Sequence, residues 1–520
     1  RRDAYRPRLL GVLTMPRTPP ALLAARLENE RLRLELANKR LGLVVNKFDV
    51  LQSQAQKKRR QPTVERESED KLLRLYDRLR SVNLARDLER NFTAAKSALN
   101  QFRINVVGTG PKLQLHTADG AWNDAAADWF NADYAKACDF RQDMHLADQL
   151  KSALAALKRE GDVLAAIDDG WIEDTGQLLW WESDQLVNVD DLSSAGGRWS
   201  EFKQEQGVLF DSWGRVVAYA VTGQHGQHSV KFVYATILPR TVSRMLRRTW
   251  RFNQLRGTAD MLTVAADLQD LYEMRSKEMQ SAKVAAGMAG VVKKSTGSEE
   301  FLAKRADATG DGTLPEGDAQ VAYERLESLT GGFLEYLEPE DTFELLDHNR
   351  PNVNFLGAFD FILRSAGSAL GLSKTYTTLN TEASYTAFRG DLLLSWAQFR
   401  CDQKDLERQA CDWIGTRAIG WAVRKGLLPA GPANWQRTLA WEWPKQPDVD
   451  PLKEATAAAV RLGNLLSTYS DEVGPEWAKK FKQASEELKT AQGLGLPSKV
   501  FDAITAPQPA EMVPPGDRGA

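Results

Sequence analysis

The spacing of apolar residues along the chain changes period twice. From residue 70 to about 106 they recur at helical intervals, and Val107-Gly108-Thr109-Gly110-Pro111 then stops the pattern with two glycines and a proline. Residues 121–137 and 144–159 predict two further helices. The period then shortens. Residues 163–172, 178–181, 207–210, 216–221 and 232–237 read as strands, separated by turns rich in Gly, Asp and Ser. From Thr258 the helical period returns, with Met261, Ala265, Leu268, Tyr272 and Met279 near one face, and persists to about Ala289. Some 30 residues at about 1.5 Å each make a rod of roughly 45 Å, longer than a small domain needs.

The remaining segments alternate helix and link. Residues 321–329 predict a short helix, and 333–346 a strand, a turn at Pro339 and a second strand. Residues 354–370 predict a helix carrying Phe355, Phe359, Ile362, Ala366 and Leu370 on one face. Residues 371–384 break it, and 385–425 form a long helical stretch with Phe388, Leu392, Trp396 and Phe399 on one side. A Pro- and Trp-rich connector spans 429–451. Two helices follow over 452–492, split near Gly474-Pro475, and a Pro-rich tail ends the chain. Residues 21–45 look helical with an imperfect stripe. The fold class is therefore α+β, predominantly helical.

Composition sets the scale. The 520 residues are 42% hydrophobic and 27% charged, enough for two to four packed units, and the net charge is only −2. Charge is unevenly placed. Residues 1–60 carry 15 Lys/Arg against 5 Asp/Glu, and residues 299–347 carry 14 Asp/Glu against 3 Lys/Arg. Each run is either a solvated face or a working surface. The basic cluster Lys57–Arg60 beside Pro62 reads as an exposed arm able to touch phosphate, or as a solvated tail. Cys138, Cys401 and Cys411 lack CxxC spacing, which argues against a disulfide framework or a structural zinc site. No apolar run approaches the roughly 18–20 residues a membrane span needs. The apolar stretch Leu9–Met15 is short and leads into prolines, so it is not read as a signal peptide. With Arg1 in first place, the expectation is a processed or incompletely represented start.

Catalytic motifs are missing from the sequence. It holds no GxSxG elbow, no phosphate-binding GxxxxGK[ST] loop and no HExxH. His225 and His228 sit in a hairpin-like Gly223–His228 turn, where a metal pair is the sharper reading and a plain turn the blander one. Trp171, Trp180, Trp181, Trp199 and Trp213 cluster in the strand region. Such rings stack on bases in some proteins but more often fill cores and interfaces. One segment resembles a twelve-residue EF-hand loop, running from Asp307 through Thr309, Asp311 and Thr313 to Asp318, with Gly312 at the sharp turn. Those oxygens suit Ca²⁺. Asp318 in place of the longer Glu, and Pro315 at the ninth position, speak for an exposed Gly/Asp turn instead.

At Asn349 the sequence enters a pattern that resembles a known family. Asn349-Arg350-Pro351-Asn352 leads to Phe359-Asp360-Phe361-Ile362-Leu363-Arg364, then Ala369-Leu370-Gly371-Leu372. Tyr385, Ala387 and Arg389 follow, then Leu392-Leu393, Trp396 and Phe399-Arg400. Upstream stand Arg86-Asp87-Leu88-Glu89-Arg90-Asn91, Asn105–Gly110 and Leu255-Arg256-Gly257-Thr258. In this order, over about residues 86–425, the set resembles the lambda-type bacteriophage portal family. Phe388 departs from it, standing where the family has a small residue, and the 295–318 loop is not a family feature.

The resemblance implies a subunit of a ring, usually of twelve, at one capsid vertex. Residues 1–69 would be a basic arm, 70–257 the first part of the wing, 258–289 the first stem helix and 290–351 an acidic clip. Residues 352–370 would be the second stem helix and 371–384 the tunnel loop. Residues 385–450 would complete the wing, 451–492 form the crown and 493–520 a flexible tail. The ring would be the conduit through which double-stranded DNA is packaged and ejected, without sequence specificity. It would dock the terminase large subunit, the major capsid protein, scaffold and head-completion or adaptor proteins, with no membrane partner. It would assemble in the host bacterial cytoplasm and reside in the virion, with no catalysis and no required cofactor. Lys374, Thr375, Tyr376, Thr377, Thr378 and Asn380 would face DNA. Two rival classes remain at this point: a Ca²⁺- or Mg²⁺-dependent DNA-processing enzyme centred on Asp307–Asp318, and a phage scaffold or adaptor.

Overall fold

The structure is a computed structural model and describes residues 68–189, 192, 197–222, 235–287, 291–293, 342–344, 353–380, 384–447, 449–474 and 477–494. The 21–45 helix, the basic arm, His225 and His228, the Asp307–Asp318 loop, the 321–329 helix and the Pro-rich tail lie outside the described residues. The chain divides into two compact units, one of residues 1–110 and 128–431, the other of 111–127 and 432–520.

The larger unit opens with helices α1 (Leu75–Asn91) and α2 (Thr93–Phe102), the latter continuing as a π turn to Val107. Next in sequence come β1 (Lys112–Leu115) and α3 (Gly120–Asp128), which fall in the smaller unit. Helix α4 (Leu146–Glu160) follows, ended by Gly161 at φ 94°. The strand region then forms two antiparallel sheets. Strands β2 (Asp162–Ile167), β3 (Leu178–Glu182), β4 (Lys203–Glu205), β5 (Val208–Phe210), β6 (Val216–Thr222), β7 (Ala235–Pro239) and β8 (Ser243–Arg247) pair in the orders β3-β2-β8 and β4-β5-β6-β7. Leu164 and Ala166 from β2 share one core with Tyr219 and Val221 from β6. Trp199 is buried, Trp171 and Trp181 are partly buried against that core, and the Trp180 indole donates to Gln149 Oε1 at 2.7 Å. The tryptophans mostly fill the core; Trp213, at the β5–β6 turn, is 83% exposed.

Beyond the sheets stand α5 (Asp260–Gly287) and α6 (Val353–Leu370), with β9 (Val291–Lys293) and β10 (Thr342–Glu344) pairing between them in sequence. At 28 residues α5 is about 42 Å long. Met261, Ala265, Leu268 and Leu271 are buried, whereas Tyr272 and Met279 are exposed. The predicted face is therefore covered only along its first half. Next come α7 (Lys374–Thr378), α8 (Tyr385–Leu406) and α9 (Asp412–Lys425), with a π turn at Glu407–Cys411 joining the last two. That turn puts Gln409 Oε1 where the Arg247 amide of β8 donates to it at 2.8 Å.

The smaller unit pairs β1 with β11 (Leu439–Glu442) in antiparallel register, Lys112 opposite Glu442. Trp122 and Trp435 meet with ring centroids 5.7 Å apart. Among the described residues three helices follow: α10 (Pro451–Gly463), α11 (Tyr469–Val473) and α12 (Trp477–Gly493). The sequence pattern predicts two there; the capping box of Thr468 and Asp471 starts the additional short one.

Candidate functional site

The residues that carry the family resemblance fall into two places. One is a framework of buried charge around the start of α5. The other is the link between α6 and α8.

Helix α4 ends and α5 begins at one point of contact, Gly161 against Gly257. A Cβ added to Gly257 would sit 1.9 Å from the Gly161 carbonyl oxygen, so no larger residue fits there. Arg256 beside it is fully buried. Its Nε and Nη2 donate to the two Asp162 carboxylate oxygens at 2.7 and 2.9 Å, and Nη1 to the Gln206 carbonyl at 2.6 Å. Arg78 comes from α1 and donates through Nη1 to the Gly257 carbonyl at 2.5 Å. Burial pushes the Asp162 carboxyl up, but the Arg256 and Arg78 guanidiniums outweigh it and hold the group at about 2. Arg78 itself is lowered to about 10, by burial first and then by the like charge of Arg256.

A second cluster uses Arg86 and Glu89 from α1. Arg86 reaches Glu160, Glu182 and Asp184 at 3.0, 2.7 and 2.8 Å. Glu89 takes Arg159 at 2.5 Å and Arg103 at 2.9 Å; burial raises its carboxyl, and these guanidiniums more than reverse that, to about 2. Glu160, Glu182 and Asp184 lie close enough together to hold a cation. Arg86 and Arg159 already occupy their oxygens, so the donor set fits an ion-pair lattice rather than a metal. A third group holds the start of α5: Lys158 and Arg248 bind Asp260 and Asp402, each within 3.0 Å. The first and third clusters tie α1, α4 and the sheet to the start of α5 and to α8, and the second ties α1 to α4 and β3.

The α6–α8 link is built as tightly. Gly371, at φ 80°, ends α6; the Leu372 amide donates to the Gly367 carbonyl at 2.8 Å and the Gly371 amide to Ser368 at 3.0 Å. Where the sequence suggests an open loop over residues 371–384, residues 374–378 form α7 instead. Three contacts produce it. The Thr375 hydroxyl donates to Asp391 at 2.6 Å, the Trp396 indole donates to the Tyr376 hydroxyl at 3.0 Å, and Thr377 fills the notch left by Gly367, where an added Cβ would lie 2.3 Å from its Oγ1. Burial pushes the Tyr376 hydroxyl above its usual range.

Burial divides the six link residues named as DNA-facing. Thr375 and Thr377 are buried and Tyr376 is half-buried, so these three hold the link to α6 and α8. Lys374, Thr378 and Asn380 keep exposed surface. Lys374 sits 3.7 Å from Asp360, which also binds Arg364. This exposed trio carries one net positive charge. The candidate metal residues Asp307, Thr309, Asp311, Thr313 and Asp318 are outside the described residues. Spacing alone did not reveal Asp162 and Asp402, because Asp162 meets Arg256 94 positions away and Asp402 meets Arg248 154 positions away; Glu160 meets Arg86 across 74 positions.

Fold and framework together define a mixed α+β protein whose signature residues hold architecture. Comparison with known proteins gives the family. The model of the lambda family of phage portal proteins matches residues 56–403. A protein of Halomonas phage phiHAP-1 described as a "Probable portal protein" is 26% identical over 361 residues, 67% of each chain. Among solved structures, a chain from the neck of an empty gene transfer agent particle aligns with a TM-score of 0.44 at 13% identity, over 75% of this chain and 92% of that one. One from the native particle's virion gives 0.42 at 13% identity, over 76% and 92%. The chain belongs to the lambda family of phage portal proteins.

Proposed function

We propose that copies of this chain form a ring, of twelve subunits, at one vertex of the capsid, and that double-stranded DNA passes through its centre during packaging and ejection. The observation that carries this reading is the family match across residues 56–403, which spans both long helices and the link between them. Helices α5 and α6 are the stem. Residues 290–351 are the clip that docks terminase and later the head-completion proteins; the capsid and scaffold proteins meet the wing. The crown is residues 451–492. The protein is assembled in the host cytoplasm and stays in the virion. It is a conduit and docking ring, and the energy for DNA movement comes from a separate ATPase, consistent with a sequence that has no phosphate-binding loop.

A conduit needs weak, sequence-blind contact, since many Lys/Arg–phosphate contacts would hold the duplex in a salt-sensitive grip. The strongly acidic segment 299–347 and the single net positive charge of the Lys374–Asp360–Arg364 trio fit that need. Lys374 is the cation assigned to DNA contact, with Thr378 and Asn380 beside it. Ca²⁺ at Asp307–Asp318 is a separate proposal, checked by calorimetry: absence of heat at millimolar Ca²⁺ removes it.

Proheads assembled with and without this chain, then supplied with terminase, DNA and ATP, test the reading. Nuclease-protected DNA should require the chain, and Lys374→Glu should lower the protected amount several-fold while proheads form normally. Equal protection without the chain overturns the conduit, and full packaging by Lys374→Glu removes the lysine from it.

A further inference from the structure

The smaller unit contains a helix that a single chain leaves uncovered. None of the thirteen residues of α10 is buried, and Leu452 and Val460 on one face are 78% and 55% exposed. Asp450 caps its first turn and Pro451 opens it, so the sequence specifies a helix there. A helix this short is marginal in water without tertiary packing. Just beyond the end of α12, Leu494 is 74% exposed beside the buried Ala491, and the exposed Gln483, Glu486, Glu487 and Thr490 line the same side of the helix.

The two faces differ in charge. Lys453 and Arg461 flank the α10 face, whereas Glu486 and Glu487 flank that of α12. Within the chain Arg461 holds Glu472 of α11 at 2.7 Å and Lys453 holds Asp450 at 2.9 Å. Like-with-like pairing of two α10 faces would bring cation to cation. Two unlike faces on one chain make a heterologous contact, which generates a ring where the rotation between successive copies closes.

We propose that α10 of one copy packs on α12 of the next copy, head to tail around the ring, with Lys453 and Arg461 of the first beside Glu486 and Glu487 of the second. This rests on the ring reading above. The occupant of each face is thus a second copy of this chain.

Cross-linking of the assembled full-length protein tests it, with mass photometry first establishing that rings are present. In a Cys401→Ser background, which removes the exposed native thiol, Thr456→Cys and Thr490→Cys are placed singly and together, each at the middle of its face. A short bis-maleimide should join the doubly substituted chain into a ladder of increasing multiples. Each singly substituted chain should remain monomeric on a denaturing gel, and a mixture of the two should stop at dimers. Dimers from Thr456→Cys alone would mean like-with-like contact and overturn the proposal. Intact rings that give no ladder would overturn it while leaving the ring reading standing. If no rings form, the ring reading fails and this contact falls with it.

Discussion

Arg256 and Asp162 show what the signature residues do individually. Both are fully buried, and Asp162 accepts from two guanidinium nitrogens and from the Gly257 amide at 2.8 Å. Its carboxyl is held at about 2 rather than the usual 3.8. A depressed acid stabilises the fold at pH values above its unfolded-state pKa, and that contribution is lost as pH falls through the folded value. The shift corresponds to about 2 kcal/mol, present above about pH 4 and lost towards about pH 2. Urea unfolding of the wild type should therefore weaken across that window, and Asp162→Asn should flatten the dependence while costing about 3–5 kcal/mol at neutral pH by leaving Arg256 unpaired. An unchanged pH slope in Asp162→Asn would remove this pair from the account. In the sequence, Leu255-Arg256-Gly257-Thr258 was recognisable as a family feature, yet its partner was not. Asp162 lies 94 positions away, and no local period points to it.

Elements with strong periodicity were legible, and elements held by distant contacts were not. Helices α4, α5, α6 and the α8–α9 run stand close to where the apolar spacing puts them, because an amphipathic stripe is a local signal. Strands β1, β4, β8, β9 and β11 escaped detection. Each has three to five residues, and β11 exists by pairing with β1, more than three hundred residues earlier. Helix α7 was read as loop for the same reason: it depends on Asp391, Trp396 and the notch at Gly367. Gly367→Ala tests that dependence. The added methyl meets Thr377 and should cost about 1–3 kcal/mol in a denaturant melt. It should also raise amide exchange in residues 374–378 more than in α4. Exchange that stays unchanged there would show that the notch does not seat α7.

At the scale of the molecule, two ion-pair clusters, around Arg256–Asp162 and Lys158–Asp402, tie the start of α5 to the sheet, α4 and α8, a third ties α1 to α4 and β3, and Tyr272 and Met279 further along α5 are exposed. Exposed apolar residues on the link-side helices, Phe361 at 73% and Leu394 at 70%, suit contact with further copies. The sequence marked the link between α6 and α8, and burial there separates Thr375, Tyr376 and Thr377, which pack on α6 and α8, from Lys374, Thr378 and Asn380, which keep exposed surface. The central claim is that this chain works as a ring. Negative-stain microscopy of the purified full-length protein, alone and with scaffold and capsid protein, tests it most directly. The account predicts rings with a central channel wide enough for a DNA duplex; a monodisperse monomer at high concentration, with no rings under either condition, contradicts it.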